Sequence, residues 1–107
     1  MVARGDILWA ELREPMGRRP VCVLTRTVAI PVLDRVTVAA ITRTVRGIRS
    51  EVPVGEDEGL REPSVVNCDD LAVVPQRSLD PEPLGYLDED KRLALDQALR
   101  FALDIRY

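Results

Sequence analysis

A small, mainly β barrel followed by one C-terminal amphipathic helix is the fold the sequence predicts, and three observations predict it. The chain has 107 residues, enough for a single domain over 1 to 107 that buries about two thirds of its unfolded surface, and too few for two cores. Five or six short stretches rich in β-branched residues recur at roughly ten-residue spacing with glycine and proline between them, the pattern of a closed or partly open barrel. The tail then changes to a helical period.

Each element can be justified in turn. "GDILWAEL" (5 to 12) follows a glycine turn and sets Ile7, Trp9 and Glu11 against Leu8, Ala10 and Leu12, which reads as a first strand. "REPMGRR" (13 to 19) is a turn punctuated by Pro15 and Gly17. "PVCVLTRTVAI" (20 to 30) reads as a second strand, apolar on both faces until Thr25 and Arg26, and "PVLD" (31 to 34) bends the chain. "RVTVAAITRT" (35 to 44) is a third strand, in which Ala39 and Ala40 are small enough for close approach by the barrel interior or by a partner chain. Residues 45 to 63 hold a glycine turn, a short strand at 51 to 54 and an acidic loop. "SVVNCDDLAVVP" (64 to 75) is a further strand or bent pair ended by Pro75, and 76 to 87 is a loop-rich connection. From 88 to 103 Asp88 caps a helix, acids fill its first turn, and Leu95, Ala98, Leu99 and Ala102 form one stripe. Asp88/Arg92 and Asp96/Arg100 are spaced for i,i+4 pairs.

Composition removes several function classes. No apolar run approaches the roughly 18 to 20 residues that span a bilayer, and the N-terminus lacks the regions of a signal peptide, so a cytoplasmic protein is expected. Cys22 and Cys68 each lie in an apolar run, which suits buried thiols in a reducing compartment. There is no histidine, which excludes Ser-His-Asp and Cys-His catalysis and leaves two distant cysteines unable to build the usual zinc site. Any catalysis must use arginine, carboxylates, hydroxyls or a supplied ion.

Net charge is −3, but residues 1 to 50 carry +5 and residues 51 to 107 carry −8. An electropositive first half can face a polyanion even in an acidic molecule, because binding responds to local potential over roughly 8 to 10 Å. All but one of the basic residues are arginine, a preference that suits forked phosphate recognition and equally a GC-rich coding sequence. Arg18, Arg19, Arg43, Arg46 and Arg49 fall in or beside the loops at 13 to 19 and 43 to 50, which would form a cationic patch if both lie at one rim. Trp9, Tyr86, Phe101 and Tyr107 are the aromatic residues, too few for a single-strand stacking platform. Trp9, inside the first strand, is assigned to the core.

The ordered set "RGDILWAEL", "GRRPVCVLT", "VTVAAITRTVRG", "SEVPV", "GLREPSVVNCDDLAVV" and the closing "EDKRLALDQALRFAL" resembles the MazF/PemK (Kid) family of toxin endoribonucleases, nearly end to end. The resemblance implies an SH3-like barrel of five to seven strands with a C-terminal helix, a homodimer, and metal-independent, cofactor-free cleavage of single-stranded RNA at chosen short sequences. It implies catalytic roles for Arg19, of the arginine-proline step, and for Thr42, which ends the "AAIT" strand. Glu14 stands at the distance of the family's glutamate, five residues before that arginine, in a loop that is shorter and differently flanked. Arg18, Thr25, Arg43 and Arg46 would bind RNA. The implied chemistry is attack by the substrate's own 2′-hydroxyl, giving 2′,3′-cyclic phosphate and 5′-hydroxyl ends. An antitoxin with an acidic, disordered tail is the implied protein partner.

Two alternatives stay open at this point. One is a noncatalytic toxin of the same fold acting on DNA gyrase, against which the C-terminal "DIRY" counts, since such proteins usually end in Trp-Gly-Ile. The other is a degenerate homologue that binds without cutting, supported by the shortened 13 to 19 loop.

Overall fold

Side chains alternate across a strand, so a run that is apolar at every position buries both faces of its sheet. The computed structural model describes residues 2–106 and shows this arrangement. Strands β1 (Asp6–Glu11), β2 (Arg18–Val23), β3 (Arg35–Thr42), β4 (Glu51–Val54), β5 (Ser64–Pro75) and β6 (Gly85–Tyr86) form one antiparallel sheet in the order β4-β5-β3-β2-β1-β6, followed by helix α1 (Glu89–Ala102). The sheet curls into a half-barrel. On one face Ile7, Cys22, Ala39, Ile41 and Val66 pack with Leu95 and Ala98 of α1. On the other, Leu8, Ala10, Val21, Val23, Val36 and Val38 pack with Ile30 and Leu79.

β4 and β5 match their predicted spans, and β1 and β3 lie within theirs. β5 is a single long strand rather than a pair. Its register with β3 jumps from Ala39↔Leu71 to Ala40↔Asn67, a bulge that bends it so that its first part also pairs with β4. Ala39 and Ala40 lie at that bend and are buried in the chain's own interior.

The second strand is shorter than predicted. β2 stops at Val23, and Thr27–Val32 form a 3-10 helix containing Pro31. The reason is local: Thr25 Oγ1 accepts from the Thr37 N–H at 2.8 Å, so a side chain takes over the next ladder position and the backbone turns away. β-branched residues 28 and 32 then sit exposed while Ala29 and Ile30 cover the sheet.

Helix α1 opens as predicted, with Asp88 Oδ1 accepting from the Lys91 N–H at 2.8 Å. Leu95 and Ala98 are buried, with Leu99 and Ala102 packed beside them. The Asp88/Arg92 pair is not formed, because the Asp88 carboxylate serves the helix N-terminus and Arg92 donates to the Leu87 carbonyl. Asp96 reaches Arg4 at 2.9 Å, tying α1 to the segment before β1.

Both cysteines are buried and free. Burial pushes the Cys22 thiol up to about 12 and the Cys68 thiol to about 11, so both are protonated at neutral pH. Among the described residues no helix is long and apolar enough to cross a membrane.

Candidate active site

The arginine-proline step creates the site by ending a ladder. β2 pairs with β3 from Val23↔Val38 to Val21↔Ala40 and no further. The Trp9 carbonyl faces away from β2, accepting from the Asp80 N–H at 2.9 Å, so its cross-strand partner Pro20 turns its nitrogen toward β3. Pro20 has no N–H to donate there, and the two strands part. Two positions further along the same register, Arg19 on β2 and Thr42 on β3 come to stand on opposite lips of the gap.

The gap opens into a cleft of about 990 Å³ floored by Ile41 and Leu60. Arg18, Arg19 and Pro20 form one wall, and Thr42, Arg43 and Thr44 continue β3 along another. The segment 59 to 62 closes the third side. Its position depends on a backbone crossing: Gly59 adopts φ +85°, and a Cβ on it would collide with the Leu84 carbonyl, as one on Gly85 would with the Glu58 carbonyl. Buried Glu58 completes that turn by accepting from the Gly55 N–H at 2.7 Å.

The charges in the cleft differ in how they are engaged. Arg18 donates to both Asp80 oxygens, at 2.7 and 3.2 Å, and to Glu11 at 3.2 Å. Arg43 pairs with Glu62 at 2.8 Å. Asp80 for Arg18 and Glu62 for Arg43 raise these guanidinium pKa values further above their ordinary range. Arg19 is anchored through Nε to the Met16 carbonyl at 3.2 Å, and no carboxylate pairs with it among the described residues. Arg61 likewise has no ion pair among them. The Thr42 hydroxyl accepts from the Thr44 N–H at 3.1 Å, which leaves its own proton free to donate to a ligand.

The structure therefore brings Arg18, Arg19, Thr42 and Arg43 together and sets the other predicted residues apart. Glu14 sits exposed on the turn before β2, joined to Pro15 by a cis peptide, and does not line the cleft. Thr25 lies outside it too, its hydroxyl committed to the β2–β3 junction. Arg46 is exposed on the 43 to 50 loop, whose backbone N–H groups at 46 and 47 are held by Glu51. Arg49 does not share the rim: its guanidinium lies over the Phe101 ring at 4.5 Å, against α1. Trp9 is not core. It is 36% exposed and lines the cleft beneath Arg18.

Sequence reasoning missed Arg61 and Glu62, because the acidic second half was treated as a block and the loop's return to β3 depends on the Gly59–Gly85 crossing. The exposure of Trp9 had one available signal, the proline opposite it. Among the described residues no three Cys, Asp or Glu side chains converge as metal ligands.

Comparison with known proteins identifies the family and the fold. The family model for PemK-like, MazF-like toxins of type II toxin-antitoxin systems matches residues 3 to 103. The chain is 47% identical over 87 residues to endoribonuclease MazF3 of Mycobacterium tuberculosis, covering 81% of this chain and 84% of that protein. It is similar in structure to Mycobacterium tuberculosis toxin MazF-mt6, with a TM-score of 0.88 and 43% identity across 95% of this chain and 99% of that one. A mycobacterial endoribonuclease solved with its cognate antitoxin shares the fold at a TM-score of 0.87 and 21% identity, covering 100% and 99% of the two chains. With the match running across nearly the whole chain, the protein belongs to the PemK-like, MazF-like family of type II toxin-antitoxin toxins.

Proposed function

We propose that the protein is a metal-independent, sequence-selective endoribonuclease that cuts single-stranded RNA and so arrests translation and growth. The observation that carries this reading is that Arg19, which has no carboxylate ion pair among the described residues, and Thr42, with a hydroxyl proton free to donate, line the same cleft where β2 and β3 part. Attack of the 2′-oxygen on phosphorus places a second negative charge on the nonbridging oxygens. Arg19 meets that charge with forked N–H donors, and Thr42 donates its free hydroxyl proton to the same oxygens. The new 2′-O–P bond forms as the P–O5′ bond breaks, so one proton leaves the 2′-hydroxyl and one reaches the 5′-oxygen. The products carry 2′,3′-cyclic phosphate and 5′-hydroxyl ends. Acceptance of the 2′-proton falls to water or to the substrate itself, since Glu14 stands outside the cleft.

The same reading gives its partners. The cleft carries Arg19 and Arg61, neither of which has an ion-paired carboxylate among the described residues, which suits an RNA strand and equally the acidic, disordered tail of a cognate antitoxin. Phe101, Leu103 and Ile105 are exposed together at the end of α1, which supports a homodimer. Residues 1 to 107 act as one toxin domain in the cytoplasm.

The test uses purified protein and end-labelled RNA. Wild type is expected to cut at defined positions, and Arg19→Ala, folded by circular dichroism, to leave the RNA intact. Equal cutting by the two proteins would remove Arg19 from the mechanism, and trapped gyrase–DNA complexes without RNA cutting would replace the reading.

A further inference from the structure

The corner of the cleft lined by Trp9 and Arg18, with Asp80 bonded to both from outside the lining, does a different job from the Arg19 wall. The three residues form a closed set: the Asp80 N–H donates to the Trp9 carbonyl, the Asp80 carboxylate holds Arg18 at two points, and Arg18 lies over the Trp9 ring at 5.4 Å. Glu11, the direct cross-strand partner of Arg18, adds a third bond. The in-plane donors of Arg18 are thereby turned toward two carboxylates, which balance its charge and oppose a phosphate at the same edge. The side of the guanidinium turned away from the Trp9 ring is left to solvent, its side chain 46% exposed and Trp9 36% exposed beside it. Guanidinium planes and aromatic rings are the surfaces on which unstacked bases settle.

We propose that Trp9 and Arg18 form a nucleobase-stacking subsite, seating an unpaired base of the RNA strand on the outer face of Arg18 while its backbone passes Arg19. This rests on the endoribonuclease reading and deepens it, by assigning Arg18 to base positioning rather than to phosphate contact. Asp80 is a positioning residue that holds the guanidinium over the ring. The arrangement also explains why a chain so poor in aromatics can hold a single strand: one tryptophan is extended by an arginine, and a cation stacked on an indole is itself favourable.

The test compares two probes of equal charge: fluorescein-labelled random-sequence DNA heptamers, which lack the attacking 2′-hydroxyl, and the abasic deoxyribose-phosphate heptamer. By anisotropy, wild type is expected to bind the base-bearing probe roughly tenfold more tightly than the abasic one. Arg18→Lys keeps the charge and removes the plane, so it should lose that ratio while binding the abasic probe as wild type does. Asp80→Asn and Trp9→Leu should lose it in part. Trp9 is the single tryptophan, so its emission should respond to the base-bearing probe and not to the abasic one. Tight binding of both probes with no difference between them, or an unchanged ratio in Arg18→Lys, overturns the subsite and leaves the nuclease reading standing. Failure to bind either probe, together with no cutting of RNA, overturns both.

Discussion

Two adjacent arginines meet opposite surroundings. Arg18 is held by Asp80 and Glu11 over an aromatic ring, whereas Arg19 is tethered to a backbone carbonyl and left without a carboxylate partner among the described residues. The alternation of a strand divides them, and Pro20 then opens the β2–β3 gap beside Arg19. The difference teaches that a cationic patch counted from sequence overstates what can bind an anion. A guanidinium already paired with carboxylates offers an anion fewer free donors than one without them.

That comparison can be broken by mutation, beginning with the largest effect. Arg19→Ala should lower kcat/KM for RNA cleavage by about 10²- to 10³-fold, the scale of losing a donor aimed at developing charge. Its thermal stability should stay within about 1 kcal/mol of wild type, because Arg19 makes one part-buried hydrogen bond to the Met16 carbonyl. Arg19→Lys should recover part of the activity, since it restores charge without the fork. Thr42→Val is isosteric and should cost about tenfold in kcat, corresponding to one hydrogen bond of about 1.4 kcal/mol. Arg61→Ala should raise KM a few-fold and flatten the salt dependence of RNA binding, as expected for one lost phosphate contact.

The core provides the control. Cys22 and Cys68 have thiol pKa values of about 12 and about 11 in the fold, against 9.0 for an exposed thiol. The unfolded chain therefore releases these protons first as pH rises, and stability present below about pH 9 is lost progressively as pH rises toward the folded values. Melting temperature should fall across that window, and Cys22→Ala should flatten the fall while leaving cleavage specificity alone. A thiol reagent at neutral pH should leave RNA cleavage unaffected until the protein is unfolded.

Much of the fold was legible because pattern and environment coincided. β4, bracketed by glycine-bearing loops, and β5, ended by Pro75, kept their predicted bounds. α1 kept its cap and stripe because the Asp88 side chain and the 3.6-residue period point to the same helix. Residues 24 to 30 were misread because β-branched content measures fit to a half-buried surface, and the hydroxyl of Thr25 was what ended the strand. At the site, Arg19 and Thr42 were named through family resemblance alone, and the reason both line one cleft was not legible, since it lies in the parting of β2 and β3 at Pro20. Trp9 was misassigned because strand position says nothing about which neighbour is missing above it. Arg49 was misplaced because its loop turns back to α1 and Phe101.

The most direct test of the central claim is the chemistry of the ends produced when the purified protein cuts RNA in excess EDTA. Cleavage through Arg19 and Thr42 predicts undiminished cutting, with 2′,3′-cyclic phosphate on one product and a free 5′-hydroxyl on the other. Loss of cutting in EDTA, or products bearing 5′-phosphate and 3′-hydroxyl ends, would contradict it.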